Sequence, residues 1–458
     1  MSTLEQPRGR FREVARLKLA DAHVQQAIDT STIRLYRHRQ AAWAEVADIE
    51  ELRQRAHDAR MRVIDDLDAH VARFTAALEG RGGHVFRAAT AEQAAGYVVD
   101  VCRRTGAKLA AKSKSMASEE IRLNDALERA GVKVVETDLG EYLVQLAGEH
   151  PVHILAPALE KTAADAAELL SRVEGKPIPA ELEPLLQAAR RQLREVFLAA
   201  DVGITGANFG VAETGSVVLV TNEGNGRLVS SLPRVHVAIM GMERLVSDLA
   251  DLSVVLRLLA RSGTGQRLSA YTTLITGPRR PGEQDGPEEL HVVILDNGRS
   301  RLLGTRYREM LACIRCGACL NVCPVYRKTG GTAYGPVYSG PMGAVLVPLL
   351  VGLERAPALP HASSLCGACS DACPVKIPLH ELLLELRRDL DEQGVAPLAE
   401  RLAFALWSYA WSTPLGYRLS TAIARAGQGL AALAGPGRAW AGGRALPRLT
   451  PRRYRDRA

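Results

Sequence analysis

Seven of the chain's eight cysteines fall in two short runs, and their spacing constrains the fold more than any other feature of the sequence. Cys313, Cys316, Cys319 and Cys323, followed by Pro324, form C-x2-C-x2-C-x3-C-P. Cys366, Cys369 and Cys373, followed by Pro374, repeat the last three positions of that pattern. Three thiolates on a tight loop, with Gly317 allowing close approach, suit three corners of an iron–sulfur cubane, while the fourth cysteine points away and serves a second cluster. One run therefore demands another. The second is present with one gap, because on the frame of the first run its leading position is Ser363. Crossed ligation predicts one 4Fe–4S cluster on Cys313, Cys316, Cys319 and Cys373, and another on Cys323, Cys366 and Cys369. The remaining iron of the second cluster is left to Ser363, water or substrate, or is absent, which would leave three irons. An open iron could also act as a Lewis acid on a hydroxyl or carboxylate. Zinc accepts paired cysteines too, but seven cysteines with two trailing Cys-Pro pairs fit a tetrahedral four-ligand site badly.

Clustered thiols carry this meaning where they stay reduced. The N-terminal stretch has no apolar signal-like core. The longest uncharged run, Leu402–Tyr417, contains Pro414 and falls short of the ~20 apolar residues that a membrane span requires. A cytoplasmic protein without a transmembrane segment is expected. With 47% hydrophobic and 24% charged residues, wholesale disorder is excluded. The net charge is +7, and seven arginines against Asp456 between Arg438 and Arg457 account for +6 of it. A nearly neutral body argues against nucleic-acid binding, which needs a basic stripe on a folded face. The basic tail could contact anionic lipid at the inner face of the cell membrane, or an acidic partner, or serve solubility.

Five segments are expected. Residues 1–80 are helical, with Val46, Ile49, Leu52, Ala56, Ala59, Val63, Leu67, Val71, Phe74 and Leu78 on one face of a long amphipathic helix. Residues 81–304 alternate short apolar strands (His84–Arg87, Lys108–Ala111, Val132–Glu136, His153–Ala156) with helices over 91–104, 117–130, 161–172 and 180–199. Ser216–Thr221, Val235–Met240 and His291–Leu295 add further strands, giving an α/β sheet at least partly parallel. Residues 305–390 carry the cysteines, and their uncharged insert, Thr329–Leu353, reads as loops packed round a buried site. Residues 391–435 are helical and apolar, with Trp407 and Trp411 on one face, and 436–458 form the basic tail. Cys102, beside Val98, Val99 and Val101, reads as a core residue.

Catalytic candidates in the α/β region are fewer. Lys112 and Lys114 stand where a strand gives way to a helix, a place suited to a carboxylate or phosphate. Glu213 and Glu223 lie in Gly- and Asn-rich turns at strand ends, where α/β folds place their sites. No nucleotide-binding loop stands out. Gly427-Gln428-Gly429-Leu430-Ala431-Ala432 matches G-x-G-x-x-A but follows a helical pattern, and it is rejected.

Longer words then resemble a known family. AKSKSMASEEIRLN, GITGANFGVAETGSVVLVTNEGNGRLVSSLPRVHVAIMGMERLV, CIRCGACLNVCPVYRKTGGTAYGPVYSGPMGAVL and SSLCGACSDACPVKIPLHELL, with matches over about residues 10 to 430, resemble the lactate utilisation protein B family. The resemblance implies an α/β LUD domain, ribose-5-phosphate isomerase/CoA-transferase-like, preceded by a helical segment. It implies an α-helical two-cluster 4Fe–4S ferredoxin-type domain after it, on the seven cysteines assigned above. It further implies an iron–sulfur subunit that works with sister subunits A and C to oxidise L-lactate to pyruvate. Where Glu160 stands the family pattern would have histidine. Two rival readings remain: electron transfer for another hydroxy-acid or heterodisulfide oxidoreductase, and a LUD-domain acyl or phosphosugar enzyme with the clusters as a redox switch.

Overall fold

The computed structural model describes Leu4, residues 9–151, 153–335 and 337–427, and Thr450. Two compact units result, residues 1–388 and 389–458. Four helices open the first: α1 (Arg10–Ala20), α2 (Ala22–Ala44), α3 (Ile49–Asp65) and α4 (Leu67–Glu79). The one long helix expected over 46–78 is thus broken at Asp66, which leaves helical geometry at φ −136° and ψ 52°. Leu52, Ala56, Ala59 and Val63 on α3, and Leu67, Val71, Phe74 and Leu78 on α4, are all buried. The apolar spacing runs straight through the break, so periodicity alone could not reveal it.

Ten strands follow: β1 (His84–Ala88), β2 (Leu109–Lys112), β3 (Lys133–Glu136), β4 (Val202–Gly206), β5 (Phe209–Val211), β6 (Ser216–Thr221), β7 (Val235–Gly241), β8 (Leu245–Val246), β9 (Tyr271–Ile275) and β10 (Glu289–Leu295). Six form a parallel sheet in the order β1-β10-β7-β4-β2-β3. The others form a smaller mixed sheet, β8-β5-β6-β9. Strand residues alternate between two cores. Val235, Val237, Ile239, Val293 and Leu295 pack on one side with Ala94, Val98, Val101 and Cys102 of the helix Ala91–Arg104. Ala238, Met240, Leu290, Val292 and Ile294 pack on the other with Val71, Phe74 and Leu78 of α4. Burial on both faces explains why these strands read as unbroken apolar runs. Cys102 is a core residue, and burial pushes its thiol up to about 11.

Several expectations shift. The helix over 117–130 is split into Met116–Glu120 and Leu123–Arg129 by Arg122, which adopts a left-handed φ of 53°. His153–Ala156 is not a strand: His153 Nδ1 accepts the N–H groups of Leu155 (3.0 Å) and Ala156 (3.1 Å), closing a local turn instead of pairing in a ladder. Thr329–Leu353 is not all loop, since Gly340–Val351 is a helix buried almost throughout, with Pro341 in its first turn and Pro348 inside. An all-round apolar helix has no polar face to give it a period. In the second unit, helices Leu398–Ser412 and Pro414–Ala426 divide the uncharged run at Thr413. There the Trp407 and Trp411 rings lie 5.2 Å apart, tilted by 38°. Among the described residues no helix is long and apolar enough to cross a membrane. The basic tail and the glycine motif from residue 428 onward lie outside the described residues, apart from Thr450.

Candidate metal centre and adjoining cavity

The first cysteine run is shaped by two left-handed residues. Arg315, at φ 58°, turns the chain between Cys313 and Cys316, and Gly317, at φ 76°, starts the short helix Ala318–Val322 that carries Cys319. Cys373 arrives from the second run, after the helix Ala368–Asp371. Cys313, Cys316, Cys319 and Cys373 line one small cavity, closed by Ile154, Met342, Val375 and Ile377. Cys323, Cys366 and Cys369 form a second group, in which Cys366 disfavours ionisation of Cys323, and both disfavour that of Cys369. Cys323 and Cys369 are buried and Cys366 is exposed. Among the described residues no three Cys, His, Asp or Glu side chains converge on one ion position. Thiols spread round a cavity fit an iron–sulfur cluster several ångströms across better than a tetrahedral zinc ion.

Buried arginines hold both loops by their carbonyls. Arg60 of α3 is fully buried and donates to the carbonyls of Ala312 (3.3 Å), Leu311 (3.2 Å), Leu245 and Glu243. Arg53 donates to Cys373 O at 2.8 Å and Asp371 O at 3.0 Å, and Arg39 of α2 to Ala372 O at 3.2 Å. Arg244 reaches Cys313 O at 2.7 Å. Burial pulls Arg60 down to about 9 and Arg244 down to about 10, still protonated at neutral pH. The N-terminal helices therefore act as a clamp on the cysteine loops through their backbone carbonyls.

A larger cavity of about 300 Å³ opens beyond the carboxyl ends of β2, β4 and β7. Ser113, Lys114, Asn208, Glu223, Arg244 and Arg299 line it from the α/β side, and Arg315 and Tyr338 from the cysteine side. Arg315 Nη2 lies 3.2 Å from Glu243 Oε1, and its guanidinium sits 4.6 Å from the Tyr338 ring centroid. Glu243 also meets Arg299 Nε at 2.7 Å, and Arg299 holds Glu120 at 2.8 Å. Burial opposes ionisation of Glu243, but Arg299, Arg315 and Arg244 outweigh it and hold the carboxyl down at about 2. The two cavities meet at Ile154 and Arg315, which line both.

Comparison with known proteins agrees with this architecture. The LUD domain family matches residues 71–295, and the 4Fe-4S dicluster domain family matches 309–377. Lactate utilization protein B of Bacillus velezensis is 48% identical, covering 94% of this chain and 92% of its own length. That of Bacillus cereus strain Q1 is 45% identical, covering 96% and 94%. The chain belongs to the lactate utilization protein B family. A solved DUF162 family protein from Deinococcus radiodurans is 12% identical and superposes with a TM-score of 0.28, covering 50% of this chain and 98% of that one. An α/β LUD domain, a preceding helical segment and a following ferredoxin-type domain thus stand as read from sequence.

For this family member the structure sorts the other candidates. Lys112 is fully buried, and its ammonium is taken up by Glu136 (2.6 Å), Glu119 (3.0 Å) and Ser118 (3.0 Å), leaving no donor for a ligand. Lys114 lines the cavity, lies 3.8 Å from Glu141 and makes no hydrogen bond through Nζ. Burial pushes Glu141 up to about 8, so the charge on Lys114 is poorly balanced at neutral pH. Glu213 is half exposed, lies 3.8 Å from Arg73 and does not line the cavity. Glu223 does line it and accepts the Leu139 N–H at 3.1 Å. Enclosure of its carboxylate and the neighbouring Asp138 push it up to about 7, although part of the side chain stays open to solvent. Glu160 pairs with Lys18 of α1. Arg244, Arg299 and Arg315 escaped the sequence reading, because single arginines in long apolar stretches give no pattern. The arginine inside the C-x2-C spacing was the available signal.

Proposed function

We propose that the chain is the electron-transfer subunit of an assembly that oxidises L-lactate to pyruvate, working in the cytoplasm with sister subunits A and C. The observation that carries this reading is the meeting of the two cavities: thiols of both cysteine runs surround one, and cationic side chains line its neighbour. Cys313, Cys316, Cys319 and Cys373 would hold one cluster, and Cys323, Cys366 and Cys369 the other. Two bound 4Fe–4S clusters would each carry one electron, which suits the stepwise relay of a two-electron oxidation. Arg39, Arg53, Arg60 and Arg244 fix the loops and place positive charge where added electrons are stabilised. Lys114 and Arg315, which line the cavity, would hold a carboxylate there, and Glu223, pushed up to about 7, would accept a hydroxyl proton near neutral pH.

The test is the anaerobically purified complex mixed with L-lactate and followed by EPR. Cys316→Ala should abolish one cluster and lactate-dependent reduction, and full activity in that variant refutes the relay. Assaying other hydroxy acids in parallel separates lactate from the alternative substrates.

A further inference from the structure

The two cysteine loops match position for position at an offset of 50 residues. Arg315 and Leu365, each just before a cysteine, both adopt left-handed backbone, at φ 58° and 55°. That conformation is uncommon for any residue but glycine. Gly317 and Gly367 follow at φ 76° and 83° and start the short helices Ala318–Val322 and Ala368–Asp371. The Gly317 carbonyl accepts the Leu320 N–H at 3.0 Å and the Gly367 carbonyl accepts the Ser370 N–H at 2.9 Å. Cys323 and Cys373 then donate to Leu320 O at 3.2 Å and Ser370 O at 3.1 Å.

In this register Ser363 stands where Cys313 stands, and the side chains make the same bond. The Arg315 N–H donates to Cys313 Sγ at 3.4 Å, and the Leu365 N–H donates to Ser363 Oγ at 3.1 Å. An arginine holds each of the two carbonyls: Arg244 donates to Cys313 O at 2.7 Å, and Arg387 to Ser363 O at 2.8 Å. Arg387 also donates to Pro360 O at 2.8 Å, so the segment leading into Ser363 is fixed. A loop that had lost a ligand without replacement would have no reason to retain a strained turn that aims a backbone N–H at the vacated side chain.

We propose that Ser363 is the fourth protein ligand of the second cluster, binding its remaining iron through Oγ. The inference rests on the second cysteine group holding a cluster, but on neither lactate nor any partner subunit. When Oγ binds, its O–H bond breaks, the proton leaves to solvent and an oxygen–iron bond forms, with no change in oxidation state. The Leu365 N–H then stabilises the resulting alkoxide as it would a thiolate. An alkoxide is a harder donor than a thiolate and favours ferric iron, which sets the second cluster at a lower potential than four cysteines would.

The experiment uses the full chain, purified anaerobically, as wild type, Ser363→Ala and Ser363→Cys. Iron and sulfide content, EPR and a potentiometric titration are measured on each. The wild type should hold two four-iron clusters. Ser363→Ala should lose about one iron per chain and show a three-iron signal on mild oxidation. Ser363→Cys should keep its iron and shift the second cluster's midpoint upward, leaving the first unchanged. The proposal is overturned by a Ser363→Ala chain with wild-type iron and spectra, or by a wild-type second cluster already at three irons. Should the alanine variant fail to fold, Ser363→Cys decides alone, and an unmoved midpoint overturns the proposal. A wild-type chain with only one cluster overturns the two-cluster reading itself, and this proposal with it.

Discussion

Replacing Arg315 by leucine isolates the contribution of one charge to the cluster proposed on Cys313, Cys316, Cys319 and Cys373. The second loop already carries leucine in the equivalent left-handed turn, so the backbone should keep its shape. What disappears is a guanidinium within reach of the Cys313 thiol, 3.2 Å from Glu243 and 3.0 Å from Met342 Sδ. Glu243 keeps Arg299 at 2.7 Å and stays ionised, so the substitution removes one whole positive charge. At a separation of about 8 Å and an effective dielectric of about 20, that charge is worth about 2 kcal/mol, or about 90 mV for a one-electron couple. The midpoint of the first cluster should fall by that order, because the reduced form carries more negative charge. Arg315→Lys should restore most of it, and the second cluster should not respond. Potentiometric titration followed by EPR on the full chain reads both midpoints. An unchanged first midpoint in Arg315→Leu refutes the argument that this arginine sets the potential.

Other outcomes follow from the same geometry. Arg60→Met strands the buried carbonyls of Glu243, Leu245, Leu311 and Ala312, and thermal unfolding should show a loss of about 3–5 kcal/mol. Lys112→Met leaves Glu136 buried without its cation and should unfold the domain, whereas Lys114→Met should melt like wild type. In that second variant, calorimetry should show small carboxylates binding at least about tenfold more weakly. Burial holds His153 neutral down to about 4, so between the ordinary imidazole range and that value only the unfolded chain takes up its proton. Its contribution is complete above pH 6.5 and is lost as pH falls towards 4, and His153→Asn should flatten the acid limb of stability by on the order of 3 kcal/mol.

The 4Fe-4S dicluster match over residues 309–377 was legible because the spacing that suits a cluster is written directly in the sequence. Buried strands such as β7 and β10 were legible for a related reason: parallel strands covered on both faces need unbroken apolar runs. Strands β4, β5, β8 and β9 were missed: β4 because Gly203 and Gly206 interrupt its short apolar run, β5 and β8 for their three and two residues, and β9 because most of its side chains face solvent. The break at Asp66 and the helix Gly340–Val351 were hidden for opposite reasons, one preserving the apolar period and the other having none. At the cavity, Lys112 and Lys114 look alike in sequence. Strand β2 turns Lys112 inward to Glu136, while Lys114, past the strand's end, reaches the cavity. That distinction depends on where one strand stops, which is the detail that patterns locate least well.

The arginines also explain why the cysteine domain and the α/β domain form one compact unit. Glu120 and Glu243 are balanced by Arg299 and Arg315, an arrangement complete within the protein. Arg39, Arg60 and Arg244 differ: they are spent on backbone carbonyls, and burial lowers all three. Their charges raise no such difficulty once the facing thiols, Cys316 and Cys373 near Arg39 and Cys313 near Arg60 and Arg244, become thiolates. A bound cluster would add counter-charge beside these buried cations, of which Arg60 and Arg244 share the single carboxylate of Glu243, so iron loading and stability should be coupled. Because Arg39 and Arg60 belong to the N-terminal helices, that coupling reaches beyond the cysteine loops. Removing iron should loosen α2 and α3 as well, and hydrogen exchange on the loaded and iron-free chains should show lost protection in both helices.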